Sequence, residues 1–209
     1  MTEKEKIKKI LTAIQANNDG STIDFAVPGY AAKRVIAYQS MRSDLIQCRE
    51  SVVELFNKKN NDIIRSSLFH TIVILYGKCF TDATSSKSPK LELVDFGQNK
   101  SVIPFHEELM DMRHNFVAHR GSSKHDLGVA FLSLGVGDLS RQVRVRQVKR
   151  KSLDENRLLN YIELFDFLIR IVEEKFRKEA EKLWNHMLQK YTPNQIAVLK
   201  IAGPTGEKE

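Results

Sequence analysis

One short stretch of the sequence, LMDMRHNFVAHRG over residues 109 to 121, concentrates side chains that are able to do chemistry. Five of them fall within eight positions: Arg113, His114, Asn115, His119 and Arg120. A histidine gains and loses a proton near physiological pH and therefore serves as a general base or a general acid. An arginine keeps its charge and binds two phosphate oxygens at once. RNA carries its own nucleophile, the 2′-hydroxyl, so its cleavage needs a base, an acid and a group that stabilises the phosphate charge, and residues of these types occur here.

Each group has an expected role in that reaction. His119 is the expected general acid or base, and Arg113 is the expected phosphate clamp, the group that holds charge developing on the phosphate. Asn115 or His114 is expected to hold the ribose or to orient a second histidine.

The spacing of the two main groups carries a prediction about assembly. His119 follows Arg113 by six positions, and a regular helix turns by about 100° per residue, so the two side chains would lie on different faces. Two copies meeting across a two-fold axis, or a local unwinding near His119, would bring such groups together. The spacing therefore favours a homodimer with the helix over residues 104–120 at its interface.

A structural interpretation of the same stretch stays open beside the catalytic one. Basic side chains are favoured at the end of a helix, where they interact with the last carbonyl groups. In that interpretation Arg113 bonds an acid, while His119 and Arg120 cap the helix before Gly121.

Metal and cofactor chemistry finds less support in the sequence. The run His106-Glu107-Glu108 begins like an H-E-x-x-H zinc motif, but Met110 stands where the second histidine is required. A second possible ligand set matches no known type of metal site: His106, Asp111, His114 and His125. The sequence has no Gly-rich phosphate loop of Walker or Rossmann form and no G-x-S-x-G elbow. We therefore expect neither a metal nor an organic cofactor.

The motif, defined here as RHNFVAH over residues 113–119, resembles the signature of the HEPN superfamily. That signature is an Arg, usually followed by a polar Asn, Asp or His, and then a His a few residues later. Here five residues separate Arg113 from His119. The YGKCFTDA segment and the AHRG ending are also similar to uncharacterised bacterial members of the group.

The resemblance implies a homodimeric helical bundle in which two such motifs meet across a two-fold axis. Many members cleave RNA without a metal, and some act as toxins or phage-defence effectors, so an antitoxin or defence-system partner is possible. Other members only bind nucleotides or nucleic acid, or serve as scaffolds. In some of the toxins a Tyr stands two residues after the His and is modified by an antitoxin. Gly121 occupies that position here, which puts that form of control in doubt.

The surrounding pattern predicts a mainly α, HEPN-like helical bundle. Five segments have helical patterns: about 2–16, from after Gly29 to 59, 62–83, 104–119 and 152–191. The third is apolar almost all round in its middle, which is typical of the central helix of a bundle. Between the third and fourth segments, residues 84–104 show no sustained period and form an expected long loop.

One region breaks the helical pattern. Its β-branched runs flank a Gly-rich turn and predict a β-hairpin near residues 127–148, within a basic insert over 126–151. Val143 and Val145 are expected on one face, and Arg144 and Arg146 on the other. The arm from 141 to 151 holds six cations and no acid, which is typical either of a solvated strand or of a track for the RNA backbone. The expected RNA-binding residues are Arg120, Arg141, Arg144, Arg146, Lys149 and Arg150.

Composition sets the wider frame. The 209 residues carry a formal net charge of +7, which favours a polyanionic partner such as RNA. We expect a single domain over 1–192 and a partly flexible tail over 193–209. The two cysteines, Cys48 and Cys79, lie in apolar helical patterns and are expected to be buried thiols. Without an apparent signal peptide or a membrane-spanning stretch, the chain is expected to be cytoplasmic with no membrane partner.

Overall fold

The computed structural model describes residues 2–16, 27, 30–81, 88–117, 126–134 and 141–192. The protein is mainly α-helical with one small antiparallel sheet, as the sequence predicted. The helices are α1 Glu3–Ala16, α2 Tyr30–Leu55, α3 Asp62–Phe80, α4 Ile103–Met112 and α5 Leu158–Lys190. The strands are β1 Asp126–Leu134 and β2 Arg141–Lys149.

The chain divides into two compact units, which we describe separately. The first comprises residues 1–38 and 174–209, and within it the Arg34 Nε lies 3.0 Å from the Glu179 carboxylate. The second comprises residues 39–173 and contains the described part of the motif and the hairpin. The division into one domain and a tail stays a prediction, and residues 193–209 lie outside the described ranges.

The second unit is a bundle whose helices share one apolar core. On α2 the buried positions recur at helical spacing, as at Leu45, Cys48 and Val52. On α5 the buried residues are Leu158, Tyr161, Leu164, Phe165, Leu168 and Val172. Ile162 and Ile169 also recur at helical spacing on α5, but both are only half-buried because the core side of the helix is centred on Leu164 and Leu168.

Helix α3 lies at the centre of this core. Tyr76 packs against Phe165 of α5 with a ring separation of 5.7 Å, and Cys48 of α2 approaches the Ile72 carbonyl at 3.6 Å. Among the described helices, α3 alone is long and apolar enough to cross a membrane, with a mean hydropathy of 1.2 over 18 consecutive residues. Its buried residues lie in the bundle core, and a core helix passes the same test of length and composition.

Both cysteines are buried free thiols, as expected from their apolar surroundings. Burial raises the pKa of Cys79 to about 12 and the pKa of Cys48 further still. Both thiols are therefore protonated and unreactive near neutral pH.

The segment before α4 is better ordered than its sequence pattern indicated. It forms two 3₁₀ turns, Leu93–Phe96 and Lys100–Val102, and buries Leu91, Phe96 and Val102. The Leu91 N–H donates to the Cys79 carbonyl at 2.8 Å, and this bond attaches the segment to the end of α3. Isolated apolar residues without a period hold this connection against the core.

Helix α4 begins with Pro104 in its first turn, where the missing N–H costs nothing, and it buries His106, Leu109 and Met112. The sequence predicted a regular helix as far as residue 119. The α-helix instead ends at Met112 and passes into a π-helical turn over Arg113–Val117. The Arg113 N–H is shared between the carbonyls of Leu109 and Met110 at this transition.

The hairpin matches the predicted position closely. In its register Val129 faces Arg146, Phe131 faces Arg144 and Leu132 faces Val143. Because cross-strand partners share a face, Phe131 and Val129 lie on the face of the two arginines, while Val143 and Val145 lie on the other face. All described side chains over 128–132 and 141–148 are exposed.

Candidate functional site

The candidate site is built around Arg113, which stands at the first position of the π-helical turn. Its aliphatic stem crosses α3 at Gly77. A Cβ atom on Gly77 would lie 2.6 Å from the Arg113 Cγ and 2.7 Å from its Cδ, so only glycine leaves room for the stem here. The arginine is therefore positioned by the close approach of two helices.

The stem of Arg113 is held by its surroundings, whereas its guanidinium has no polar partner among the described residues. Its Nε is buried and has no hydrogen-bond partner, and among the residues that the structure describes no carboxylate forms an ion pair with it. A buried donor without a partner costs about 1–3 kcal/mol, so such groups are rare in folded proteins. The interpretation in which Arg113 bonds an acid finds no such acid within the described ranges.

The next two motif residues are exposed. The Asn115 Nδ2 donates to the Asp111 carboxylate at 2.7 Å, four residues earlier in the chain, while His114 faces solvent. Sequence reasoning weighed Asp111 only as a metal ligand and missed this contact. The signal was present, because Asp111 and Asn115 have the i, i+4 spacing of neighbours on a helix surface. Asp111 therefore orients the Asn115 amide.

The described part of the motif ends at Val117. His119 and Arg120 lie outside the described residues, as do Gly121 and His125, so their predicted roles stay predictions. The π-helical turn precedes them directly. Such turns are rare and often mark functional positions, since one extra residue in a helical turn changes where the following side chains point.

A buried polar pair, Tyr76 and His106, connects α3 with α4. The Tyr76 hydroxyl lies 2.7 Å from the His106 Nδ1, and the rings of Phe80 and Phe96 lie within 4.9 Å of the His106 ring. Burial raises the pKa of Tyr76 and lowers the pKa of His106, so the tyrosine keeps its proton and donates to a neutral imidazole. His106 is thus a packing residue that joins α3 to α4.

A charged cluster connects α4 with the end of the hairpin and the start of α5. The Glu108 carboxylate lies 3.1 Å from Arg150 and 2.6 Å from Arg157, whose guanidinium also stacks 4.6 Å above the Phe105 ring. Arg150 donates as well to the Ser152 carbonyl at 3.0 Å. Sequence reasoning missed Glu108 and Arg157 because their contact joins residues distant along the chain. Arg150, predicted to bind RNA, therefore holds the hairpin against α4.

The remaining hairpin cations differ from Arg150. Arg141, Arg144 and Arg146 are exposed, and Arg144 lies directly across from Phe131 in the neighbouring strand. The backbone of Lys149 faces that of Asp126, while the Lys149 side chain lies outside what the structure describes. Proteins that bind single-stranded nucleic acid without sequence preference commonly combine exposed cations with aromatic rings.

Two further observations bear on the chemistry. Within the described parts of the chain, no three His, Cys, Asp or Glu side chains come close enough together to hold a metal ion. In comparisons with known proteins, no family model, no curated protein and no solved structure matches this chain. The resemblance to the HEPN superfamily accordingly stays a prediction.

Proposed function

We propose that this protein is a metal-independent endoribonuclease of the HEPN type that acts as a cytoplasmic homodimer. The observation that carries the proposal is Arg113: its stem is fixed at Gly77 and its buried Nε has no partner. A guanidinium that no described carboxylate neutralises is able to bind a phosphate. It is then in place to stabilise the charge that develops during cleavage.

The proposed reaction uses no external nucleophile. His119 or its counterpart in the second copy removes the proton from the ribose 2′-hydroxyl, and the 2′-oxygen attacks the adjacent phosphorus. The bond from phosphorus to the 5′-oxygen breaks, and a second acid protonates the leaving oxygen. The products are a 2′,3′-cyclic phosphate and a 5′-hydroxyl. Asn115, oriented by Asp111, is suited to bind the ribose, and exposed His114 is suited to meet the substrate.

The hairpin supplies the proposed RNA-binding surface. Arg141, Arg144 and Arg146 project into solvent, and β2 contains no acidic residue that would neutralise them. Contacts of this kind bind phosphates without reading the base sequence. The Glu108–Arg150 ion pair ties the base of this surface to α4, five residues before Arg113.

A second candidate function rests on the same surface. The exposed pairing of Arg144 with Phe131 favours RNA binding whether or not the motif is catalytic. In that case the protein is a non-catalytic HEPN-type nucleic-acid or nucleotide-binding module, or a dimeric scaffold. A toxin or phage-defence role, with an antitoxin or defence-system partner, belongs to the catalytic proposal.

Cleavage assays with matched variants separate the two candidates. We expect the purified protein to cut a generic RNA, and Arg113→Ala or His119→Ala to lower the rate by about a hundredfold or more. The controls are Arg170→Ala and His186→Ala, which remove an exposed arginine and an exposed histidine from α5 and should leave the rate unchanged. Equal activity in the two motif variants and their controls would contradict the catalytic proposal.

A further inference from the structure

The two strands of the hairpin differ sharply in charge. The nine residues of β1, DLGVAFLSL, include a single charged side chain, Asp126. The nine residues of β2, RQVRVRQVK, include four cations. Charged side chains on an edge strand prevent its pairing with another chain, and β1 lacks this protection over its whole central part.

The outer edge of β1 is open in the described structure. Across the described ranges β1 pairs with β2 alone, so the backbone N–H and C=O groups on its other side have no strand to bond. No proline interrupts the strand. A long, uncharged edge of this kind is a template for adding a further strand.

The hairpin also exposes apolar side chains on both of its faces. The largest exposed fractions are those of Leu132 at 84%, Val143 at 72%, Val148 at 72%, Val145 at 66% and Val129 at 64%. A two-stranded hairpin is marginally stable in water, and three or more strands are needed for independent stability. The hairpin therefore gains most from a partner that extends the sheet.

We propose that two copies of this chain join through the outer edges of β1 and form a four-stranded antiparallel sheet in the order β2–β1–β1–β2. Charge selects β1 as the edge at which two copies meet. Two β1 strands have no like charges to bring together at their centre. Two β2 strands would bring the four cations of one copy next to the four cations of the other. A two-fold axis at the middle residue, Ala130, makes the contact self-complementary.

This arrangement assembles one continuous RNA-facing surface from two copies. The axis is perpendicular to the sheet, so both copies present Phe131, Arg144 and Arg146 on the same face. With Ala130 at the axis, the row across the sheet reads Arg144, Phe131, Val129 of the partner subunit and Arg146 of the partner subunit. An apolar centre is thus flanked by cations on both sides, which suits a base stacked between two phosphate contacts.

The contact goes beyond the proposed function, because it does not require that RNA be cleaved. It also supplies exposed apolar area, of which the described residues of α4 have less. On and just after α4 the exposed described residues include Glu107, His114 and Asn115, which are polar. No large apolar side chain among the described residues of α4 is exposed, so a homodimer that used only these residues would have less apolar surface to bury than one that used the hairpin.

Charge substitutions at the proposed axis test the contact directly. Ala130→Lys places two cations next to each other across the axis, and Ala130→Glu places two carboxylates there. We expect either variant alone to weaken self-association at least about tenfold in sedimentation experiments, since like charges facing each other oppose association. An equimolar mixture of the two should restore the dimer, because each Lys then faces a Glu.

Val145→Lys is the matched control. Val145 is the cross-strand partner of Ala130, on the same face but on the outer strand, so its substitution should leave the dimer intact. Far-ultraviolet circular dichroism establishes that each variant is folded, and Ala130→Glu serves if Ala130→Lys is not. A monomeric wild-type protein, or an Ala130 variant as dimeric as the Val145 control, would overturn the inference. RNA cleavage measured on the same samples tests the proposed function separately. If both Ala130 variants stay dimeric, the proposed contact is wrong, yet the protein can still cleave RNA.

Discussion

The motif and the hairpin both present arginines, but they hold them in opposite ways. Arg113 is half-buried, and its stem passes through a gap that only a glycine leaves open. Arg144 and Arg146 are exposed on a two-stranded hairpin that projects apolar side chains to both faces. The difference is consistent with the two proposed tasks, since a charge that stabilises a transition state must be fixed in place. Charges that follow an RNA backbone act over a wider area and tolerate movement.

Filling the gap at Gly77 with a methyl group should have a large effect on cleavage, because it removes the fixed placement that distinguishes Arg113 from the hairpin arginines. Gly77→Ala pushes the Arg113 stem aside, because the new methyl group would lie 2.6 Å from its Cγ. We expect RNA cleavage to fall by about tenfold to a hundredfold, as expected when a catalytic group is displaced by about an ångström. In single-turnover assays Gly77→Ala combined with Arg113→Ala should cleave no more slowly than Arg113→Ala alone, because both changes remove the same interaction.

The control for this substitution is Gly128→Ala in the hairpin. A Cβ atom there would meet the Gln147 Cγ at 3.8 Å, an ordinary contact, so cleavage should not change. Losses that simply multiply in the double variant would show that Gly77 does not act through Arg113.

Charge reversal on the hairpin should affect binding and spare the chemical step. Reversing Arg144, Arg146 and Lys149 removes three candidate phosphate contacts, so RNA affinity should fall and become less dependent on salt. Each lost contact is expected to reduce the slope of log K against log salt by about one unit. The cleavage rate at saturating RNA should stay close to that of the wild type.

A matched set of exposed cations on α5 provides the comparison: Arg170, Arg177 and Lys178. Reversing these three changes the net charge equally, so it separates a local effect from a general one. If the slope of log K against log salt were the same in both triple variants, the hairpin cations would not be specific contacts for the RNA backbone.

The smallest expected effect concerns the buried support of α4. Burial lowers the pKa of His106, while nearby Glu107 acts in the opposite direction. The unfolded chain, with a histidine pKa near about 6.5, therefore binds the proton more readily than the folded protein does. The contribution of His106 to stability is complete above that pH and decreases as the pH falls below it.

Urea unfolding at pH 7.5 and pH 5.5 measures this effect. The wild type should lose more stability between the two than a Tyr76→Phe, His106→Phe variant, in which no titrating group remains at this position. His186→Ala, which removes an exposed histidine, should behave as the wild type does. An equal loss in the apolar variant would assign the pH dependence to other groups.

The fold followed from the sequence where periodicity is strong. Five helical segments and the hairpin could be predicted, because long apolar helical segments and β-branched runs on either side of a Gly-rich turn are local features of the sequence. The π-helical turn at Arg113 could not be predicted, since it depends on how α4 meets α3 at Gly77. The Glu108–Arg150–Arg157 cluster was missed for the same reason, because its members come from three different parts of the chain.

The candidate site was predicted in part. Residue types alone pointed to Arg113, His114 and Asn115, and the structure adds Gly77 and Asp111 as the residues that position them. Arg150 shows the limit of composition as a guide. It belongs to a basic run, yet its partners are Glu108 and the Ser152 carbonyl.

The central claim is that the motif cleaves RNA through the substrate's own 2′-hydroxyl, and one measurement tests it most directly. The purified protein is incubated in EDTA with an RNA and with the DNA of the same sequence, and the ends of the products are determined. We predict that the RNA is cut to 2′,3′-cyclic phosphate and 5′-hydroxyl ends while the DNA survives, and that Arg113→Ala slows this cutting by about a hundredfold or more. A strict requirement for magnesium, or equal cutting of the DNA, would contradict the account.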